Sequence, residues 1–305
     1  MSRRWLIAVL TLALCGVFAP PSLAAVVAAA PVEERVATVA AAATPSPLPF
    51  EPTEELVYEG EFSKLLLRGI EIAEFRFTSS RIDNPAIAPD QAQAAASQLL
   101  FKGDATAKGW FRKLFGVDFH FNIETIVDSR SFAVVSTTKI DEQGKRVRLS
   151  EAVFDRVNDK VTWTERNPND PRSTPRVVTS PLNGATHDFI SAIYFLRTRQ
   201  LAVGQTFEIM MSDSGEVFPI PVKVVERKTL KTVLGKKTPT LRVDIEAFGD
   251  RRLIQRNGQM TLWITDDARR LPVRARINSD IGTIDIKLKS VVTPNLKSVD
   301  KSSKS

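Results

Sequence analysis

The chain has 305 residues and 42 Lys plus Arg against 35 Asp plus Glu, a formal charge of +7. Its one cysteine, Cys15, lies in an N-terminal apolar run. If that run is removed, the mature chain has no thiol, which excludes disulfides, thiolate metal sites and cysteine nucleophiles together. The basic residues are spread out and not interleaved with aromatics, which argues against nucleic acid. They fit a solvated basic surface or contact with anionic headgroups or acidic glycans.

In chain order, Arg3 and Arg4 precede an apolar run from Trp5 to Phe18, and Ser22-Leu23-Ala24 puts small residues where a signal peptidase reads. Residues 1–24 therefore read as a cleaved secretory signal, so the protein is expected to be periplasmic or secreted. The run is shorter than the roughly 20 residues of a spanning helix, and no transmembrane span is expected in the mature chain. Leu14 stands where a lipoprotein box needs a small residue before Cys15. Residues 25–55, with Pro31, Pro45, Pro47, Pro49 and Pro52, read as an Ala/Pro-rich disordered leader. Residues 293–305 read as a frayed tail.

Between them, residues 56–292 read as a single β-rich domain. Leu56–Phe62 and Ile70–Thr78 are placed as strands around a turn at Arg68-Gly69. The pattern breaks from Arg81 to Gln98, with 84–98 read as a flexible insertion. Leu99–Ala107 resumes a strand. Trp110, Phe111, Leu114 and Phe115 then share a helical face bracketed by Gly109 and Gly116, as a core plug or an apolar flap over a cavity. Val117–Val127 alternates strictly, with Phe119, Phe121 and Ile123 facing one way and Asp118, His120 and Glu124 the other.

Phe132–Ile140 and Arg146–Arg156 flank a hairpin loop at Asp141–Gly144, and Val161–Glu165 follows a turn at Asn158-Asp159. Four prolines make Asn167–Pro181 largely loop. Thr186 is placed as the cap of a mostly buried helix, His187–Arg199, with Arg197 and Arg199 suiting its dipole. Thr206–Met211, Val217–Arg227, Thr240–Phe248 and a meander over Gly258–Lys289 complete the strands. Pro219 and Pro221 mark an edge strand or bulge. The fold class is mainly β with minor α: a curved antiparallel sheet or incomplete β-barrel packed by one short helix.

The helix Asp188-Phe189-Ile190-Ser191-Ala192-Ile193-Tyr194-Phe195-Leu196-Arg197, with Val203-Gly204, Leu262-Trp263-Ile264-Thr265-Asp266-Asp267 and Arg270-Leu271-Pro272-Val273, resembles the bacterial exported family catalogued as domain of unknown function number 3108. The resemblance covers roughly Leu56 to Val292. It implies a periplasmic or secreted β-rich domain, similar in shape to the curved-sheet lipoprotein carriers of the envelope. It brings no activity.

The residues themselves assign no catalytic group, cofactor or metal. There is no Gly-x-Ser-x-Gly, phosphate loop or His-Glu-x-x-His. Asp118 and His120 share a strand face as a potential metal pair without further ligands. Asp266-Asp267 reads as turn chemistry. The leading expectation is a non-catalytic binding module for an apolar or lipid-like ligand, with Trp110, Phe111, Leu114, Phe115, Tyr194 and Trp263 as its contacts. The alternatives are a structural or interaction protein of the envelope with a filled core and an envelope protein partner, and a cell-wall glycan hydrolase using Asp118 and Glu124.

Overall fold

The computed structural model describes residues 48–293 except 52, 83–97, 110, 111, 114–117, 183, 250, 251 and 255. The expected signal peptide, most of the leader and the tail from 294 lie outside the described residues, as do Trp110, Phe111, Leu114 and Phe115.

The first half of the chain supplies β1 (Glu55–Lys64), β2 (Leu67–Ile82), β3 (Gln98–Ala107), β4 (Phe119–Asp128), β5 (Val134–Gln143), β6 (Arg146–Asp155), β7 (Lys160–Arg166) and β8 (Arg176–Pro181). A short β9 (Thr186–His187) leads into the helix α1 (Phe189–Thr198). The second half supplies β10 (Thr206–Asp213), β11 (Glu216–Thr232), β12 (Gly235–Ile245), β13 (Gly258–Thr265), β14 (Pro272–Ser279) and β15 (Gly282–Val292).

Among the described residues these fifteen strands form one sheet, in the order β8-β7-β6-β5-β4-β3-β2-β1-β15-β14-β13-β12-β11-β10-β9. Two antiparallel meanders therefore meet where the first strand pairs with the last, Glu55 opposite Val292 and Ser63 opposite Thr283. A twisted sheet of this width has to curl. The curl brings its ends together: Lys139 on β5 meets Asp213 on β10 at 2.5 Å. A Cβ on Gly215, at the β10–β11 tip, would come within 2.6 Å of Val178 on β8. The result is the expected incomplete barrel packed by a helix.

Strict alternation gives β4 its faces, with Phe119, Phe121, Ile123, Thr125 and Val127 turned inward and buried. α1 lies inside the curl. Ile190 reaches β3 because Gly103 has no Cβ; one there would stand 3.2 Å from the Ile190 Cδ1. Tyr194 stacks on Phe101 at 4.0 Å and 5°. Leu196 joins a second cluster with Ile209, Val222, Val243 and Ile264. Each such fully buried large side chain contributes about 1.5–3 kcal/mol.

Several local expectations are corrected. The β1–β2 turn falls at Leu65-Leu66, since Lys64 pairs with Leu67. Gly69, at φ +61, instead serves a bulge in β2, its N–H donating to the Ser63 hydroxyl at 3.0 Å. Asp141–Gln143 remain in β5, and the turn is delayed to Gly144. Arg176–Pro181 form an edge strand, β8, because only the β7 side must be paired there. The edge expected at Pro219 and Pro221 is there: β11 pairs with β10 over Glu216–Lys223 and with β12 only from Val222 to Thr232, so its β12 side is open at both prolines. Val224 donates toward β10, so the proline nitrogens five and three residues before it face the other way, where β12 pairing begins only at Val222.

The end of the expected leader is also part of the packed structure. Phe50 is buried, edge-on to Phe101 at 5.7 Å and Tyr194 at 5.0 Å. Glu54 is buried against Arg197 of α1, with guanidinium–carboxylate contacts of 2.5 and 3.0 Å. Arg197 therefore does more than complement the helix dipole: it is fully buried and bonds the carbonyls of Arg269 at 3.2 Å and Pro49 at 3.3 Å.

Candidate functional site

Between α1 and the second meander lies an apolar cavity of about 120 Å³. Phe189, Ile193 and Leu196 of α1 form one wall; Met211, Leu262 and Ile286 belong to the opposite one. Inward residues of alternating strands make such a wall automatically. Space remains because the first cluster takes up Ile190 and Tyr194 on the other side of the helix. Among the described lining residues only Arg274 carries a charge. The Tyr58 hydroxyl at the lining is satisfied, donating to the Pro272 carbonyl at 2.8 Å. Its burial pushes its pKa up, so it stays a neutral donor.

The expected contacts distribute differently from the sequence reading. Tyr194 faces the filled cluster with Phe50 and Phe101, not the cavity. Trp263 points to the face opposite Leu262 and Ile264, under the guanidinium groups of Arg274 at 5.2 Å and Arg276 at 5.9 Å. Those arginines are fixed by Asp285, at 2.6 and 2.8 Å. Burial works against the Asp285 carboxylate, but its bonds to both arginines outweigh it and hold the pKa down. Both aromatics therefore serve packing, and the cavity is built from apolar residues of the helix and of the strand interiors.

The helix start is more polar. Asp188, not Thr186, is the N-cap: its carboxylate accepts from the Ser191 N–H at 2.8 Å and the Ser191 hydroxyl at 2.6 Å. It also accepts from the hydroxyls of Thr125 and, at 2.8 Å, Thr137. Thr186 and His187 pair with β10 instead. His187 is buried, stacked on Phe195 at 4.3 Å, and neither ring nitrogen has a hydrogen-bond partner. Burial lowers its pKa to about 4, with Asp188 raising it and Arg156 lowering it further.

A folded pKa depressed below the usual ~6.5 means that the unfolded chain takes up the proton first. The stability this neutral ring represents is present above pH 6.5 and is lost as pH falls toward 4. The loss is about 3 kcal/mol. His187→Phe is expected to flatten the melting temperature between pH 7 and 4; an unchanged slope refutes the assignment.

His120 does not pair with Asp118. It bridges Asp104 at 2.6 Å and Glu142 at 3.1 Å on the outer face. Partial burial lowers its pKa, but the bonds to the two carboxylates outweigh that and raise it. Among the described residues no group of three or more His, Cys, Asp or Glu could hold a metal ion. Asp118 sits 3.7 Å from Arg112 and Glu124 2.7 Å from Lys102, both at the surface. Asp267 accepts from Thr265 at 2.6 Å and from the N–H groups of Arg269 and Arg270, and Asp266 pairs with Arg227 at 2.6 Å, so both act as turn residues. Among the described residues no helix is long and apolar enough to cross a membrane, which says nothing about crossing by strands.

No curated protein matches the chain. Among solved structures it is similar to the crystal structure of a beta-barrel-like protein of domain of unknown function DUF1849 from Brucella abortus. That likeness has 9% identity and a TM-score of 0.49, over 78% of this chain and 96% of that one. Residues 79–289 match the family described as Protein of unknown function (DUF3108). That span runs from β2 through α1 and both meanders to β15, so the chain belongs to the DUF3108 family.

Proposed function

We propose that this chain is an exported periplasmic binding module that holds part of an apolar, lipid-like ligand without chemistry. The observation that carries the reading is the cavity beside α1. An apolar wall of this kind offers water almost no hydrogen-bond partner. Its volume, about 120 Å³, is near the ~150 Å³ that accommodates benzene in an engineered cavity. That selects a short apolar segment, such as the end of an acyl chain, over a whole two-chain lipid. Met211 and Met260 in the lining are flexible enough to repack around it. The N-terminal signal pattern supports the location.

Native mass spectrometry of gently purified protein is expected to find bound lipid, and a fluorescent fatty acid is expected to be taken up. Ala192 lines the cavity from α1. Ala192→Leu should lower that uptake about tenfold or more while holding or raising the melting temperature, since it fills space left empty. Absence of both bound lipid and uptake in the parent chain rejects the reading and favours an envelope interaction protein.

A further inference from the structure

The β1–β2 hairpin ends in Leu65-Leu66, and the two side chains are 87% and 99% exposed. Leu67 follows at 37%. Singly exposed apolar residues need no explanation, but three in a row at a tip do. Leu65 also holds φ +50. Hairpin turns give that conformation to Gly, Asn or Asp, and it is strained for a leucine. The strain and the exposure coincide at the same residue.

On its β1 side the hairpin is paired with β15 up to Ser63, opposite Thr283, so only the tip passes that strand, while on its β2 side it outruns β3. β3 leaves the ladder at Ala107, opposite Ala73. The hairpin continues for about six residues beyond that point to Leu67, roughly 20 Å at strand rise. Lys64 and Arg68 flank the leucines. On β1 the acidic Glu61 is neutralised by Lys287 at 2.6 and 2.7 Å. On the neighbouring β14–β15 turn, Asp280 presents its carbonyl to the Lys64 ammonium at 3.4 Å, while Ile281 is buried.

We propose that the Leu65-Leu66 tip is a membrane-contact point that enters the headgroup region of an anionic phospholipid bilayer. The leucines supply the apolar anchor, and Lys64 and Arg68 supply attraction to the anionic surface. Following the antiparallel registers, this rim of the curled sheet also carries the β12–β13 connection, whose Ala247 and Leu253 line the cavity. The β6–β7 tip with Val157, 94% exposed, and the β11–β12 tip with Val233, 53% exposed, lie on the opposite rim. The proposal stands on surface features and does not need the cavity to be filled.

The test uses the full chain with Cys15→Ser, so that a thiol introduced by Leu66→Cys, Val157→Cys or Val233→Cys is the one labelled by an environment-sensitive fluorophore. Vesicles of phosphatidylglycerol and phosphatidylethanolamine are expected to shift emission to the blue at position 66. Quenching by a doxyl-labelled lipid should follow, with neither effect at 157 or 233. Vesicles of phosphatidylcholine alone should give a weaker shift. Adding Lys64→Ala and Arg68→Ala should raise the lipid needed for half the shift by about tenfold or more at low salt. A water-like signal at 66 on every vesicle, which would point instead to a protein partner, overturns the proposal. So does an equal shift on the opposite rim, or an unchanged lipid requirement in the charge variant. Fatty-acid uptake needs no vesicle, so failure here leaves the cavity reading separately testable.

Discussion

Arg197→Met is expected to lower stability by about 3–5 kcal/mol, because it leaves a carboxylate buried without its cation. Glu54 is 4% exposed and Arg197 is fully buried. The guanidinium also satisfies the carbonyls of Pro49 and Arg269 and lies 5.2 Å from the Phe50 ring, so one side chain ties the entering segment, α1 and the β13–β14 turn together. Removing it strands each of these partners. In a chain of this size the loss corresponds to a fall in melting temperature of about 10 °C. The double variant Arg197→Met with Glu54→Leu should recover a large part, since a buried pair replaced by apolar residues is often near neutral. Urea denaturation of the two variants decides the point. A single variant within about 1 kcal/mol of the parent would mean that the pair is no stronger than one in solvent.

Asp188→Ala comes second. Loss of the cap alone costs about 1 kcal/mol. Here the same carboxylate accepts from Thr125 and Thr137, which are both buried on the sheet. Each stranded hydroxyl adds about 1–3 kcal/mol, so with the cap a total of about 3–7 kcal/mol is expected in equilibrium unfolding. Asp188→Asn, which keeps an acceptor oxygen for part of the set, should cost clearly less. If the alanine variant costs only as much as a surface cap, the sheet-to-helix bonds contribute nothing.

The strands were legible in the sequence where one face is apolar and the other polar. Phe119 to Asp128 alternates without exception, and the closing meander could be read from its turns. Turns were misplaced where strong turn residues do a different job. Gly69 marks a bulge, so the turn falls to two leucines that carry no turn signature. The prolines of 167–181 hide β8 from a sequence reading, because it is an edge strand, where a proline at the end removes no needed donor.

The site was harder to read for a physical reason. Aromatic residues attract attention, yet Tyr194 and Trp263 are consumed by packing against Phe101 and Arg274. The cavity wall is made of ordinary inward residues such as Met211 and Leu262, and whether they enclose space depends on how far the sheet curls. Arg197 looked like a dipole partner because its carboxylate, Glu54, lies 143 residues earlier. No local pattern encodes a pairing that distant.

The pairing of β1 with β15 sets the order in which the molecule can be finished. During synthesis the N-terminal meander appears first and can zip locally from hairpin to hairpin. Its founding strand has no partner on one side until the last strand emerges. Until then β1 presents a row of open backbone donors and acceptors, the kind of edge that recruits stray strands. Closure across nearly the whole chain is also the slowest contact to form. The nascent protein is therefore most vulnerable to aggregation just before completion, and a truncation that removes β15 is expected to damage the first half of the fold as much as the second.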